Sequence, residues 1–315
     1  LHDYTRDQEI PGVCMSDIRK IAVIGLGSMG HGMAVSCLRA GHVVWGVDVD
    51  QDRVQAFCRE GGADGALHDV ANRLDAVAIV VVNAAQTQSV LFGETGIAKN
   101  LRPGAVVLGC ATVAPGFARE TAVQCDTLGL HYLDAPISGG AVKAASGALS
   151  VMLSGSEAAK RAASPVLEAV AENLFDLGAE PGAGSAMKAV NQLLAGVHIA
   201  AMAEAVGFAM TQGLSPDDIA RVIPHCAGTS WMLENRLPHI VDGDYTAHSM
   251  VDIWPKDLGI VREIAESVGV DVPVASTALA QFREASARGW GREDDAALVK
   301  LYAQQAGLRL PGEER

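Results

Sequence analysis

Short runs of β-branched residues alternate with helix-like stretches from Arg19 to about residue 180, and then the strand signal stops. Ile21 to Ile24, Val43 to Val47, Ala76 to Val82 and Ala105 to Leu108 are rich in Val and Ile and nearly free of polar residues. That pattern belongs to strands buried on both faces. Met29 to Arg39 and Gln51 to Glu60 read as helices, closed by Gly41 and by Gly61-Gly62 at C′ positions. Strands separated by helices predict βαβ units and a doubly wound, mostly parallel sheet. His131 to Leu133 supplies a further strand, and Leu149 to Ser154 and Leu174 to Leu177 are expected to add edge strands.

Beyond Pro181-Gly182 the chain reads as helix upon helix, with a start signal at Ser215-Pro216-Asp217-Asp218, a break near Gly243 and a last helix from about Glu293 to Gln305. We therefore expect an α/β domain over residues 17–182 and an all-helical domain over residues 183–315, preceded by a polar, disordered leader over residues 1–16. The leader lacks the apolar core of a signal peptide, and Met15, just ahead of the first strand, is the expected native start of the protein. From Ala183 to about Met210 the helical character is unbroken, a length of about 40 Å that can join two domains. Lys188, Asn191, Gln192, His198 and Glu204 interrupt its apolarity and argue against a membrane span.

The 315 residues are 49% hydrophobic but only 4% aromatic, so close packing of small residues must supply the core. A formal net charge of -13 disfavours nucleic acid or an anionic membrane surface as a partner, since both need a basic footprint. The six cysteines form no CxxC pair, which fits free thiols in a reducing cytoplasm. The nine histidines contain no HExxH and no pairing with cysteine, so no metal site is expected.

Gly25-Leu26-Gly27-Ser28-Met29-Gly30 matches GxGxxG between a predicted strand and a predicted helix, and Asp48 ends the next strand 18 positions after Gly30. In this context Gly25 allows a tight turn, Gly27 lets backbone approach a pyrophosphate, and Gly30 lets helix pack on strand. Asp48 can accept from ribose hydroxyls and repels a 2′-phosphate, so NAD is expected over NADP, with Arg53 the one nearby cation that can soften the preference. Val82-Asn83 and Thr112 follow the next two strands and are expected to face the cofactor, although Asn83 reads equally well as an ordinary turn residue.

Lys188, Asn191 and Gln192 stand at i, i+3 and i+4, on one face of an apolar helix. Either the lysine stem snorkels to solvent, or its amine is buried where its pKa falls toward acid/base use. Periodicity does not decide between the two. Gly184, one turn earlier, leaves that face clear for a ligand.

Taken together, Gly25 to Gly30, the run Asp134-Ala135-Pro136-Ile137-Ser138-Gly139-Gly140, the spacing of Gly184, Lys188, Asn191 and Gln192, and Lys256-Asp257-Leu258-Gly259 resemble the β-hydroxyacid dehydrogenase family. The resemblance runs from about residue 19 to about residue 305. It implies a Rossmann domain joined by a long interdomain helix to an all-helical domain that assembles dimers or tetramers. It also implies a catalytic Lys188 assisted by Asn191, a substrate carboxylate held by Ser138, Gly139 and Gly140, and Lys256 against the nicotinamide end of NAD. Within the family, Ala141 to Ala145 and Ser230 to Arg236 look most like the branch that oxidises the C2 hydroxyl of a four-carbon sugar acid. Trp231, Glu234, Asn235 and Arg236 would then serve a hydroxyl-rich substrate, the other reading of Trp231 to Arg236 being a helix-end packing cluster. The alternatives are an enzyme for another short hydroxyacid or semialdehyde acid, and a non-catalytic NAD-binding module. Val82-Asn83-Ala84-Ala85 departs from the Leu-Pro turn of many relatives.

Overall fold

The computed structural model describes residues 19–313, so the expected leader, Met15 and Cys14 lie outside the described residues. Two compact units emerge, residues 19–111 with 118–183 and residues 112–117 with 184–313.

In the first unit the apolar runs form β1 (Lys20–Ile24), β2 (Val43–Val47), β3 (Ala76–Ile79), β4 (Val106–Gly109) and β5 (His131–Asp134). They make one parallel sheet in the order β2-β1-β3-β4-β5. Every residue of β3 and β4 is buried, as their unbroken apolarity requires. The connecting helices are α1 (Ser28–Arg39), α2 (Gln51–Arg59), the single turn α3 (Leu67–Val70), α4 (Ala84–Phe92) and α5 (Pro115–Thr127). Strand β3 ends at Ile79, short of the expected Val82. Val80 still donates to Ile24 O at 2.8 Å, but Val82 has left the sheet and is exposed.

The strands after β5 correct an expectation. β6 (Ile137–Ser138), β7 (Leu149–Leu153) and β8 (Ala171–Asp176) form a separate three-stranded sheet, β6-β7-β8, and do not extend the first as edge strands. Pro136 has no N–H to continue the β5 ladder, so the chain turns there, and the Pro136 carbonyl instead accepts from Met152 N at 3.0 Å. α6 (Gly140–Ser146) and α7 (Glu157–Val170) fill the connections. One core joins both sheets and their helices, running from Ile21, Val23 and Leu108 through Met33 and Cys37 to Leu149, Val166 and Leu167.

Among its described residues the second unit has no strand of its own. It comprises α8 (Ala183–Thr211), α9 (Pro216–Val222), α10 (Trp231–Asp242), α11 (Ile253–Ser267), α12 (Pro273–Ala285) and α13 (Val299–Ala306). The start signal before α9 is a complete capping box between Ser215 and Asp218, and Gly243 closes α10 in the left-handed conformation. The single helix expected over Glu293 to Gln305 is instead a 3₁₀ turn, Asp295–Leu298, followed by α13, because the Asp294 side chain caps a new start at Ala296 N. Helix α8 has the length and apolarity of a membrane-spanning segment. Its Ile199, Met202, Ala203 and Val206 are nevertheless buried with Leu237, Trp254, Leu258 and Phe282 in the core of this unit.

Candidate active site

The first unit's sheet changes direction at β1. The chain passes from β1 to β2 on one side and then to β3 on the other, which opens a crevice beyond the carboxyl ends of β1 and β3. Gly25 to Gly30 occupies that edge. Gly25 has φ +98°, and a Cβ there would lie 2.5 Å from Val80 O. A Cβ on Gly30 would come within 1.8 Å of Gly25 O, so only glycine lets α1 start this close to the strand. A Cβ on Gly27 would meet nothing within 4 Å. Gly27 is therefore glycine for no internal reason, and the open space above it is where an approaching ligand would gain from a bare backbone. Gly27 also stands in the N-cap position of α1, with no side chain bonded to the first-turn N–H groups. Those groups suit a pyrophosphate. Leu26 and Gly30 are buried, Met29 is half-buried and Ser28 is exposed.

Asp48 closes this loop. Its Oδ2 accepts from Leu26 N at 2.7 Å and its Oδ1 from Asp50 N at 2.9 Å. Arg53 lies closer than sequence distance suggested, with a guanidinium nitrogen 3.7 Å from Asp48 Oδ2 and Nε 3.3 Å from Asp50 Oδ2. Asn83 is the N-cap of α4, its Oδ1 accepting from Gln86 N at 2.9 Å, while Val82 N donates to Gln86 Oε1 at 2.8 Å. Thr112 follows β4 and, with residues through 117, clusters with the second unit.

Ser138, Gly139 and Gly140 lie between β6 and the start of α6, with φ +128° at Gly139 and +77° at Gly140. Consecutive positive φ values turn the backbone in a way that favours glycine at both positions. Asp134 opens this run, and its sequence position alone assigns it no role. Its buried carboxylate accepts from Gly182 N at 2.9 Å and from Ser154 Oγ at 3.2 Å, fixing the end of the unit's chain to its sheet.

In the second unit Lys188 does not snorkel. It is 8% exposed, and burial lowers its ammonium pKa to about 8, with Asp257 opposing the shift and Lys256 adding to it. Helices α8 and α11 meet closely because residue 196 is glycine, where a Cβ would sit 2.9 Å from the Trp254 ring and 3.0 Å from both Leu258 methyls. That contact brings Gln192 to Asp257, and Gln192 Nε2 donates to Asp257 Oδ2. Asn191 Nδ2 donates to Gln192 Oε1 at 2.9 Å. Lys256 Nζ is 2.5 Å from Asp257 Oδ1, an ion pair made without hydrogen-bond alignment. Asp257, only 2% exposed, stands in the Lys256 to Gly259 run, but its place in the sequence assigns it no role. Its partner Gln192 is 65 residues away, so no local spacing could reveal the pair.

Trp231 is 58% exposed and Asn235 is exposed one turn later on α10, behind the Ser230 cap. Arg236 is a correction. Its Nε lies 2.6 Å from Asp295 Oδ1, and Asp295 Oδ2 accepts from Trp254 Nε1 at 2.9 Å, while Nη1 donates to Asn235 Oδ1, so this guanidinium is held between a buried carboxylate and its exposed neighbour. Burial raises the Asp295 carboxyl above its ordinary range against the pull of Arg236. Glu234 likewise has a local partner, accepting from Thr229 Oγ1 at 2.7 Å.

Comparison with known proteins places these arrangements. A family model described as the NAD-binding domain of 6-phosphogluconate dehydrogenase matches residues 20–178. A second, described as the NAD-binding domain of NADP-dependent 3-hydroxyisobutyrate dehydrogenase, matches residues 182–302. L-threonate dehydrogenase of Escherichia coli O6:H1 is 49% identical over 93% of this chain and 96% of its own. The chain belongs to the 3-hydroxyisobutyrate dehydrogenase-related family of hydroxyacid dehydrogenases. The Haemophilus influenzae L-threonate dehydrogenase is 48% identical over 92% of this chain and 96% of its own. The crystal structure of a 3-hydroxyisobutyrate dehydrogenase from Salmonella typhimurium superimposes with a TM-score of 0.85 at 48% identity, covering 90% of this chain and all of that one. This dehydrogenase is thus an oxidoreductase that carries an NAD-binding domain and acts on a small molecule.

Proposed function

We propose that this dehydrogenase oxidises the C2 hydroxyl of L-threonate to the 2-oxo acid with NAD, using Lys188 as the acid/base and Asn191 beside it. The burial of the Lys188 amine carries the reading, because it supplies a base that is neutral just above neutral pH. Lys188 Nζ takes the proton of the C2 hydroxyl as the C2–O bond becomes a carbonyl, and it returns that proton in the reverse reaction. NAD, when bound, supplies the acceptor for the hydride leaving C2. Gly25 to Gly30 would hold its pyrophosphate, with Val82, Asn83, Thr112 and Lys256 along the rest of the cofactor. Ser138, Gly139 and Gly140 would hold the substrate carboxylate through backbone N–H groups, and Trp231 and Asn235 its hydroxylated end.

The Asp48 carboxylate favours NAD, since a 2′-phosphate would bring like charge against it. Arg53 is already drawn to Asp48 and Asp50, which leaves it a poor phosphate ligand. Exposed Met187, Val190 and Leu194 along one side of α8 support assembly as a homodimer or homotetramer. The five described cysteines are all free, in keeping with a reducing cytoplasm.

Similarity to the Salmonella 3-hydroxyisobutyrate dehydrogenase favours a second reading, 3-hydroxyisobutyrate as substrate. Initial rates with L-threonate, 3-hydroxyisobutyrate and other short hydroxyacids, each with NAD and NADP, and with tartronate semialdehyde and the reduced cofactors, separate the two. The expected result is the highest kcat/KM for L-threonate with NAD. A higher value for 3-hydroxyisobutyrate would overturn the substrate assignment, and a higher value with NADP would remove Asp48 from its role.

A further inference from the structure

Asp257, Gln192 and Asn191 form a hydrogen-bonded row whose direction is set from one end. A carboxylate paired with Lys256 offers only acceptors, so Gln192 must turn its amide nitrogen toward Asp257 Oδ2. Gln192 Oε1 then faces Asn191, which is obliged to donate its Nδ2 at 2.9 Å. Gln192 and Asp257 are 8% and 2% exposed, and a flipped Gln192 would set oxygen against carboxylate oxygen where water cannot relieve it. Asn191 itself is half-buried, and its Oδ1 takes no hydrogen bond among the described residues. Its remaining N–H and this Oδ1 are the groups it has left for a ligand.

We propose that Gln192 is a positioning residue that fixes the polarity of Asn191, so that Asn191 Oδ1 receives a second hydroxyl of the substrate and selects vicinal dihydroxy acids. The inference rests on the reading of Asn191 as a substrate contact and of Lys188 as the base. A hydroxyl has one proton, and that of the reacting hydroxyl goes to Lys188. The substrate donor for Asn191 Oδ1 is then a different hydroxyl, and the one on the adjoining carbon is the nearest source. The remaining Asn191 N–H serves the reacting oxygen, whose charge rises as it loses its proton. A substrate with one hydroxyl would leave Oδ1 unpaired, a cost that an acid bearing two hydroxyls avoids.

The test compares kcat/KM for L-threonate and for 2,4-dihydroxybutyrate of matching C2 configuration, which lacks only the hydroxyl beside the reacting one. The wild type is expected to prefer L-threonate by about 10-fold or more, the worth of a hydrogen bond in a half-buried site. Gln192→Met, close in shape but without polarity, is expected to lower that ratio to within about 3-fold of unity while NAD affinity stays at the wild-type value. Asp257→Asn, which removes the acceptor-only anchor, is expected to move the ratio the same way if Gln192→Met does not fold. Any change in Lys188 that it causes acts on both substrates and cancels in the ratio. A wild-type ratio near unity, or an unaltered ratio in these variants, overturns the inference. Asn191→Ala separates this from failure of the underlying reading. Wild-type rates in Asn191→Ala would mean that Asn191 is no substrate contact, whereas lost discrimination there with a retained ratio in Gln192→Met would sink the relay alone.

Discussion

In the loop from Gly25 to Gly30 the chemistry is carried by backbone N–H groups, and side chains are absent where the fold or a ligand needs the room. Around Lys188 the chemistry lies in side chains, and each has its properties set by a neighbour from a distant part of the chain. The loop is local: Gly25 and Gly30 constrain each other within six residues, and Asp48 closes the turn from the next strand. The lysine cluster is not local. Lys188 acquires its lowered pKa from burial, and Gln192 its orientation from Asp257 on another helix, which the bare backbone at Gly196 lets approach. A site made of backbone is written as a motif, whereas a site made of buried charge is written in tertiary packing.

The largest effect should come from breaking the second site. Lys188→Ala is expected to lower kcat by roughly 10²- to 10⁴-fold, the usual cost of a lost acid/base, with NAD affinity by titration calorimetry unchanged. Loss of NAD binding in parallel would mean that the two sites are not separable. Next comes the buried ion pair of the helical unit. Arg236→Ala leaves the Asp294 and Asp295 carboxylates buried without their cation, and should lower stability by about 3–5 kcal/mol in urea unfolding. A raised KM with stability intact would return Arg236 to the substrate.

Smaller effects come from the glycine loop, where two alanine substitutions should part company. Gly30→Ala forces a methyl against Gly25 O and should cost about 1–3 kcal/mol of stability, seen as a lowered Tm. Gly27→Ala meets nothing in the protein, so Tm should hold within about 2 °C while NAD affinity falls by about 10-fold. Equal Tm losses in both would show that Gly27 has an internal reason to be glycine and would weaken the pyrophosphate assignment.

The same contrast separates what is legible in the amino-acid sequence from what is not. The five-stranded parallel sheet is legible because its strands are buried on both faces and so lack polar residues. The glycine loop is legible because glycine is hard to replace at positive φ and at close approach. The separate sheet of β6, β7 and β8 is not, since a two-residue strand such as Ile137–Ser138 carries no period and Pro136 alone marks the departure. The fate of Arg236 is hidden for a different reason. Its exposed neighbours Trp231 and Asn235 share its helix, but Arg236 turns inward to carboxylates 58 and 59 positions later. Lys188 is the intermediate case, its spacing visible and its burial not. Packing of α8 in the helical unit decides between a snorkelling amine and a buried one.

The pH dependence of kcat/KM for oxidation tests the central claim most directly. Burial lowers the Lys188 pKa from the ordinary lysine value to about 8, and only the neutral amine can take the hydroxyl proton. Activity should therefore rise as pH increases toward about 8 and level off above it, and Lys188→Ala should lose that limb. A limb that survives in Lys188→Ala, or a wild-type profile with no inflection between about pH 6 and about pH 10, would contradict a buried lysine as the acid/base.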